Sequence, residues 1–82
     1  MINVEQFARI IAFRYTMDYM ASGLFIERSY ATHLFNHISD QWFIAGRKKT
    51  VLEKPANIKL IQNIVLEAAN FGISIQQRIT KT

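Results

Sequence analysis

Four residues interrupt an otherwise continuous pattern of apolar side chains at three- and four-residue spacing: Gly23, Gly46, Gly72 and the lone Pro55. Glycine favours positions just past a helix end, and proline the first position inside one. Breakers this sparse leave three long segments, each of helical length and too long for ordinary strands.

In the first segment, Asn3 to about Ala21, the residues Val4, Phe7, Ala8, Ile11, Tyr15 and Tyr19 share one helical face. Asn3 suits the N-cap, Glu5 the first turn, and Gly23 a left-handed C-terminal cap. Ile10, Phe13, Met17 and Met20 fall on other faces, so this helix is apolar nearly all round. Such a helix is either central in a bundle or turns a second face to a partner.

The second segment begins near Glu27, and Tyr30, Leu34, Ile38 and Trp42 step by four along it. Its end has two readings. The helix runs on to Ala45 with Gly46 as its cap, or it stops at Ser39. In the second case Trp42–Ala45 and Thr50–Glu53 form a hairpin about Gly46-Arg47-Lys48-Lys49.

The third helix starts at Pro55. An earlier start at the capping-box pattern Thr50-Val51-Leu52-Glu53 would bury the proline inside the helix, at a cost of about 3 kcal/mol. Ile58, Ile61, Ile64, Val65, Ala68 and Phe71 line one face, Lys59, Asn63, Leu66 and Asn70 the other, and Gly72 reads as the stop. The tail Ile73–Ile79 alternates at its start like a strand. Its backbone would need partners, from Thr50–Glu53 or from a second copy in a homodimer, unless it is helical after all. The expected architecture is a mainly α, three-helix domain spanning residues 1–82, with a short β-hairpin or C-terminal strand as its variable part.

Half of the residues are apolar, enough for a core in one small domain. The absence of cysteine excludes disulfides, a zinc ribbon and a thiol nucleophile. The longest stretch without Asp, Glu, Lys or Arg is Ser29–Ser39, far short of a membrane span. The start Met1-Ile2-Asn3-Val4-Glu5 lacks the basic and apolar regions of a signal peptide, and the expectation is a cytoplasmic protein without membrane contact.

Charge is unevenly distributed. Residues 1–40 carry three basic and four acidic side chains, residues 41–82 seven and two, within a net charge of +4. The basic density peaks at Arg47, Lys48 and Lys49, which as an exposed loop would attract phosphates. Arg28, Ser29, Thr32, His33 and Asn36 lie on the side of the second helix away from Tyr30, Leu34 and Ile38. They are residue types that reach base edges and phosphates.

In the twenty-residue window Met17–Asn36, Met20, Ala21, Leu24, Ile26 and Leu34 fill positions four, five, eight, ten and eighteen of a helix-turn-helix unit. Position nine holds Phe25 instead of the usual glycine, and Gly23 comes two residues early. Over a quarter of the chain the sequence thus resembles, in part, the helix-turn-helix regulators. That resemblance implies DNA contact through the second helix.

Two further constellations stand out. His33 and His37 at i and i+4, followed by Asp40, have metal-ligand spacing, but Leu34 stands where a metalloprotease glutamate would follow the first histidine. No metal or other cofactor is expected. Phe13, Met17, Met20 and Phe25 compose a methionine and aromatic surface suited to a protein partner. The six carboxylates are scattered singly, and no phosphate loop or nucleophile motif occurs, so no enzyme is expected.

The leading expectation is a small regulatory protein acting on nucleic acid, DNA before RNA, or on a DNA-bound protein as an accessory factor in transcription regulation. Arg28, Thr32, His33, Asn36, Arg47, Lys48 and Lys49 would be its contacts. The alternative is an inhibitor or adaptor that binds protein alone, through Phe13, Met17, Met20 and Phe25. A third is a homo-oligomeric structural subunit joined through the Ile73–Ile79 strand.

Overall fold

The computed structural model of the protein describes residues 2–80, with side chains as far as Arg78. It contains α1 (Val4–Ala21), α2 (Tyr30–Ile44), a single turn α3 (Lys49–Leu52) and α4 (Pro55–Thr80), and no strand among the described residues. α4, at about 1.5 Å per residue, reaches roughly 39 Å and sets the long dimension of a 45 × 21 × 21 Å body.

Local signals account for most boundaries. Asn3 accepts a hydrogen bond from the Gln6 backbone N–H, and the Gln6 side chain accepts one from Asn3 N–H, completing a capping box. At the end of α1, Gly23 takes φ +81°. Its N–H donates to Met20 O (2.9 Å) and Leu24 N–H to Tyr19 O (3.2 Å), a Schellman closure. α2 ends the same way: Gly46 has φ +77°, Gly46 N–H donates to Phe43 O (2.9 Å) and Arg47 N–H to Trp42 O (3.2 Å). This settles the two readings of that segment. Trp42–Ile44 are helical, and the 42–53 hairpin does not form. The capping carbonyls consume the backbone groups that a returning strand would need. α2 also starts three residues later than the spacing suggests, because Glu27–Ser29 form a turn closed by Tyr30 N–H on Glu27 O (3.0 Å).

The C-terminal strand is likewise replaced. α4 continues through Gly72 and Ile73 to Thr80, so the tail's backbone is satisfied within the helix and offers no strand pairing to a second copy. Gly72 has no left-handed φ. A Cβ there would lie 3.0 Å from Thr16 Cγ2 and 3.2 Å from Ile26 Cγ1. The glycine serves close packing, not termination.

Paired contacts fix the topology. Arg9 with Glu67, Phe13 with Phe71 and Thr16 with Gly72 advance together, so α1 and α4 run parallel. Phe7 with Trp42, Tyr15 with His37 and Tyr19 with Tyr30 run in opposite order, so α2 is antiparallel to α1 along its whole length. The result is an up–down–up bundle, not the steep crossing of a helix-turn-helix unit. Its core joins Tyr30, Leu34, Ile38 and Trp42 of α2 to Ile61, Ile64, Val65, Ala68 and Ala69 of α4. α1 contributes the small residues Ala8, Ala12 and Thr16, which let it approach closely. α4 is apolar and long enough, by length and composition alone, to cross a bilayer. Here it supplies five of the thirteen buried apolar residues of the core.

Gly→Ala inside a helix ordinarily gains up to about 1 kcal/mol. Gly72→Ala is expected to lose about 1–2 kcal/mol instead, because Thr16 and Ile26 are themselves buried and cannot retreat. Urea unfolding monitored by circular dichroism reads the sign directly.

Candidate functional site

The structure separates the polar residues of α2 into two rows. Thr32 and Asn36, one turn apart, face the groove between α2 and α4. There Thr32 lines a recess of about 490 Å³ with Phe35, Lys59, Gln62, Asn63 and Leu66. Asn36 lines a second recess of about 560 Å³ with Phe35, Asp40, Phe43, Lys49, Glu53 and Ile58, so one lysine there faces two carboxylates. Phe35 walls both recesses. Arg28 is exposed in the turn that precedes α2. Lys59, Gln62, Asn63 and Leu66 were not among the candidates drawn from sequence. Their i, i+3, i+4, i+7 spacing on the outer face of α4 was the available signal.

His33 lies in the other row, in the seam between α1 and α2. Its Nε2 and the Tyr15 hydroxyl share a hydrogen bond of 2.8 Å. The His37 ring stacks obliquely on Tyr15, with centroids 4.0 Å apart. Deeper in the same seam the Thr16 hydroxyl donates to Ala12 O (2.7 Å). Its single proton is thereby committed, so the Tyr30 hydroxyl 2.7 Å away donates to Thr16. Burial pushes the Tyr30 phenol above its ordinary value. Among the described residues no three His, Asp or Glu side chains converge as metal ligands, and His33 is engaged by Tyr15.

The basic run divides as well. The Arg47 guanidinium sits over the Trp42 ring at 4.7 Å and over the Phe7 ring at 5.7 Å, and it donates to Ile2 O at 2.6 Å. Trp42 Nε1 donates to Lys48 O (2.9 Å), which fixes the same loop. Arg47 thus fastens the start of α1 to the end of α2, whereas the Lys48 and Lys49 side chains are exposed.

The four partner-surface candidates do not form one strip. Phe13 packs edge-on against Phe71 of α4 (centroids 5.6 Å) and Met20 is partly buried against the core. Met17 is half exposed on the outer face of α1. Phe25 lies in the connecting loop beside Tyr19, Glu27 and His33, on the α1–α2 side. Among the described residues, Ile2, Ile10, Leu24, Phe43, Ile44, Leu66 and Phe71 are also exposed. Comparison with protein-family models, with curated proteins and with solved structures finds no match for this chain.

Burial, aided by the neighbouring charge of His33 and opposed by Asp40, holds the His37 imidazole below its ordinary pKa. The folded chain therefore resists a proton that the unfolded chain accepts. Stability is intact above about pH 6.5, the unfolded value, and is lost as pH falls through the lower folded value. Thermal melts from pH 7.5 down to about pH 5 should show a falling Tm, and His37→Gln should flatten that dependence. A slope unchanged by the substitution would assign it to other groups.

Proposed function

We propose that the protein is a small non-enzymatic regulator that binds nucleic acid, DNA in the first instance, along the groove between α2 and α4. The observation that carries this reading is the meeting of Thr32 with Lys59, Gln62 and Asn63 beside Phe35, with Asn36 and Lys49 in the neighbouring recess, where Asp40 and Glu53 also stand. Ammonium groups neutralise phosphates and release counterions. Amide and hydroxyl groups hydrogen-bond to base edges, sugars and phosphates. The Phe35 ring offers an apolar contact between them. Arg28 is exposed in the turn before α2 and Lys48 in the segment after it. Arg47 acts through the fold, holding Trp42 and the α2–α3 loop in place.

Steering by charge also suits an accessory factor that settles on DNA beside a second protein, because the same lysines would face the phosphates in either case.

Fluorescence anisotropy with mixed-sequence duplex DNA and with single-stranded RNA, over a salt series, tests the groove. Each phosphate contact contributes about 0.9 to the slope of log affinity against log salt, so Lys49→Ala with Lys59→Ala should reduce the slope by nearly 2. Arg47→Ala should leave the slope unchanged and lower Tm, since it removes a cation–π contact worth about 0.5–1 kcal/mol. Binding that ignores the paired lysine change removes the groove from the interface. An absence of binding at low salt excludes independent nucleic-acid recognition.

A further inference from the structure

We propose, resting on the nucleic-acid reading, that the recess beside Thr32 holds one unpaired nucleobase of a single strand, with Lys59 on the adjoining phosphate. The recess is about 490 Å³, within the roughly 300–1,000 Å³ usual for small-molecule sites. Its wall combines what a base requires. The Phe35 ring, partly buried and held against the core, comes from α2, and the Leu66 side chain from α4. Thr32, Gln62 and Asn63 bring a hydroxyl and two amides. None of these three, nor Lys59, makes a side-chain hydrogen bond or ion pair with another described residue. Both amides therefore keep their donors and their acceptor for the edge of a ligand. No carboxylate lines this recess to repel a phosphate, whereas Asp40 and Glu53 stand in the neighbouring one.

Width separates a base inside a duplex from one outside it. An α-helix with its side chains is about 10–12 Å across, so α2 and α4 side by side span roughly 20 Å. The major groove of B-DNA is about 12 Å wide and admits one helix. The helix pair is too wide to carry a recess lying between its members to base edges within the duplex. An unpaired base has no such limit. It leaves its stack, lays one face on an aromatic ring and turns its hydrogen-bonding edge to side chains. In this recess Phe35 takes the face, Thr32, Gln62 and Asn63 the edge, and Lys59 the phosphate. Lys59, Gln62 and Asn63 stand at i, i+3 and i+4 of α4, so one helix face presents the cation and both amides together.

Fluorescence anisotropy of the full chain tests this with three probes: a single-stranded DNA of about 12 nucleotides, its duplex, and an abasic strand of the same length. The single strand should bind about 10-fold or more tighter than the duplex. The abasic strand keeps every phosphate and should bind about 10-fold more weakly than the complete strand. Gln62→Ala with Asn63→Ala should weaken single-strand binding about 5- to 10-fold and leave its salt slope unchanged, because uncharged amides release no counterions. Phe35→Leu should weaken it comparably. Gln62 and Asn63 are exposed, so the amide variant remains decisive should Phe35→Leu disturb folding. A duplex bound as tightly as the single strand overturns the base recess, as does an abasic strand bound as tightly as the complete one. In either case a slope lowered by about 0.9 in Lys59→Ala leaves the nucleic-acid reading standing. Amide changes without effect on single-strand binding overturn the recess too. No binding of any of the three probes at low salt overturns both.

Discussion

The contact of Gly72 with Thr16 and Ile26 joins three parts of the chain at one point, and the rest of the arrangement depends on it. α4 packs so closely on α1 here that a Cβ on residue 72 would lie 3.0 Å from the Thr16 methyl. Thr16 in turn receives the Tyr30 hydroxyl, which begins α2. Ile26 from the connecting loop closes the third side, and the Gln76 side-chain amide accepts from Ile26 N–H and donates to Ile26 O. The loop that reverses the chain between α1 and α2 is thus held by residues fifty positions later. Parallel α1 and α4 follow, with α2 laid antiparallel between them.

That placement of α2 determines what its outer residues can do. Tyr30, Leu34, Ile38 and Trp42 face inward, and the remaining residues divide between two seams. Thr32 and Asn36 go to α4, where lysines and amides meet them. His33 and His37 go to α1, where they meet Tyr15. Adjacent residues of one helix, about 100° apart, consequently serve different surfaces. A polar face that looks uniform along the sequence is cut in two by the packing of its neighbours.

The legible parts of the sequence were those governed by local physics. The four-residue step from Tyr30 to Trp42 is the buried stripe of α2, Asn3 and Gly23 cap α1, and Pro55 opens α4. Gly46 left two readings because a glycine suits both a helix cap and a hairpin turn, and only the paired carbonyls of Trp42 and Phe43 distinguish them. Gly72 misled for a related reason. A terminating glycine and a close-packing glycine are the same letter, and the difference lies in Thr16, fifty-six residues earlier. The alternation after it is short enough to fit a helix equally well. Of the groove, the α2 side was readable as a polar row, but its α4 side requires knowing that the two helices are neighbours.

Arg47 shows why a charge count and a charge map differ. It belongs to the densest basic run, yet its guanidinium is shared between two aromatic rings and a backbone carbonyl. Tethered in this way, it stiffens the turn from which Lys48 and Lys49 project, at the end of the bundle that also carries Lys54 and opens onto the groove with Lys59. Taking one cation out of solvent anchors the backbone that carries the others, while the Lys48 and Lys49 side chains remain exposed. The positive excess of the second half is therefore not one uniform patch, because Arg47 is taken up by the fold and Lys49, where it lines the α2–α4 side, shares its recess with Asp40 and Glu53.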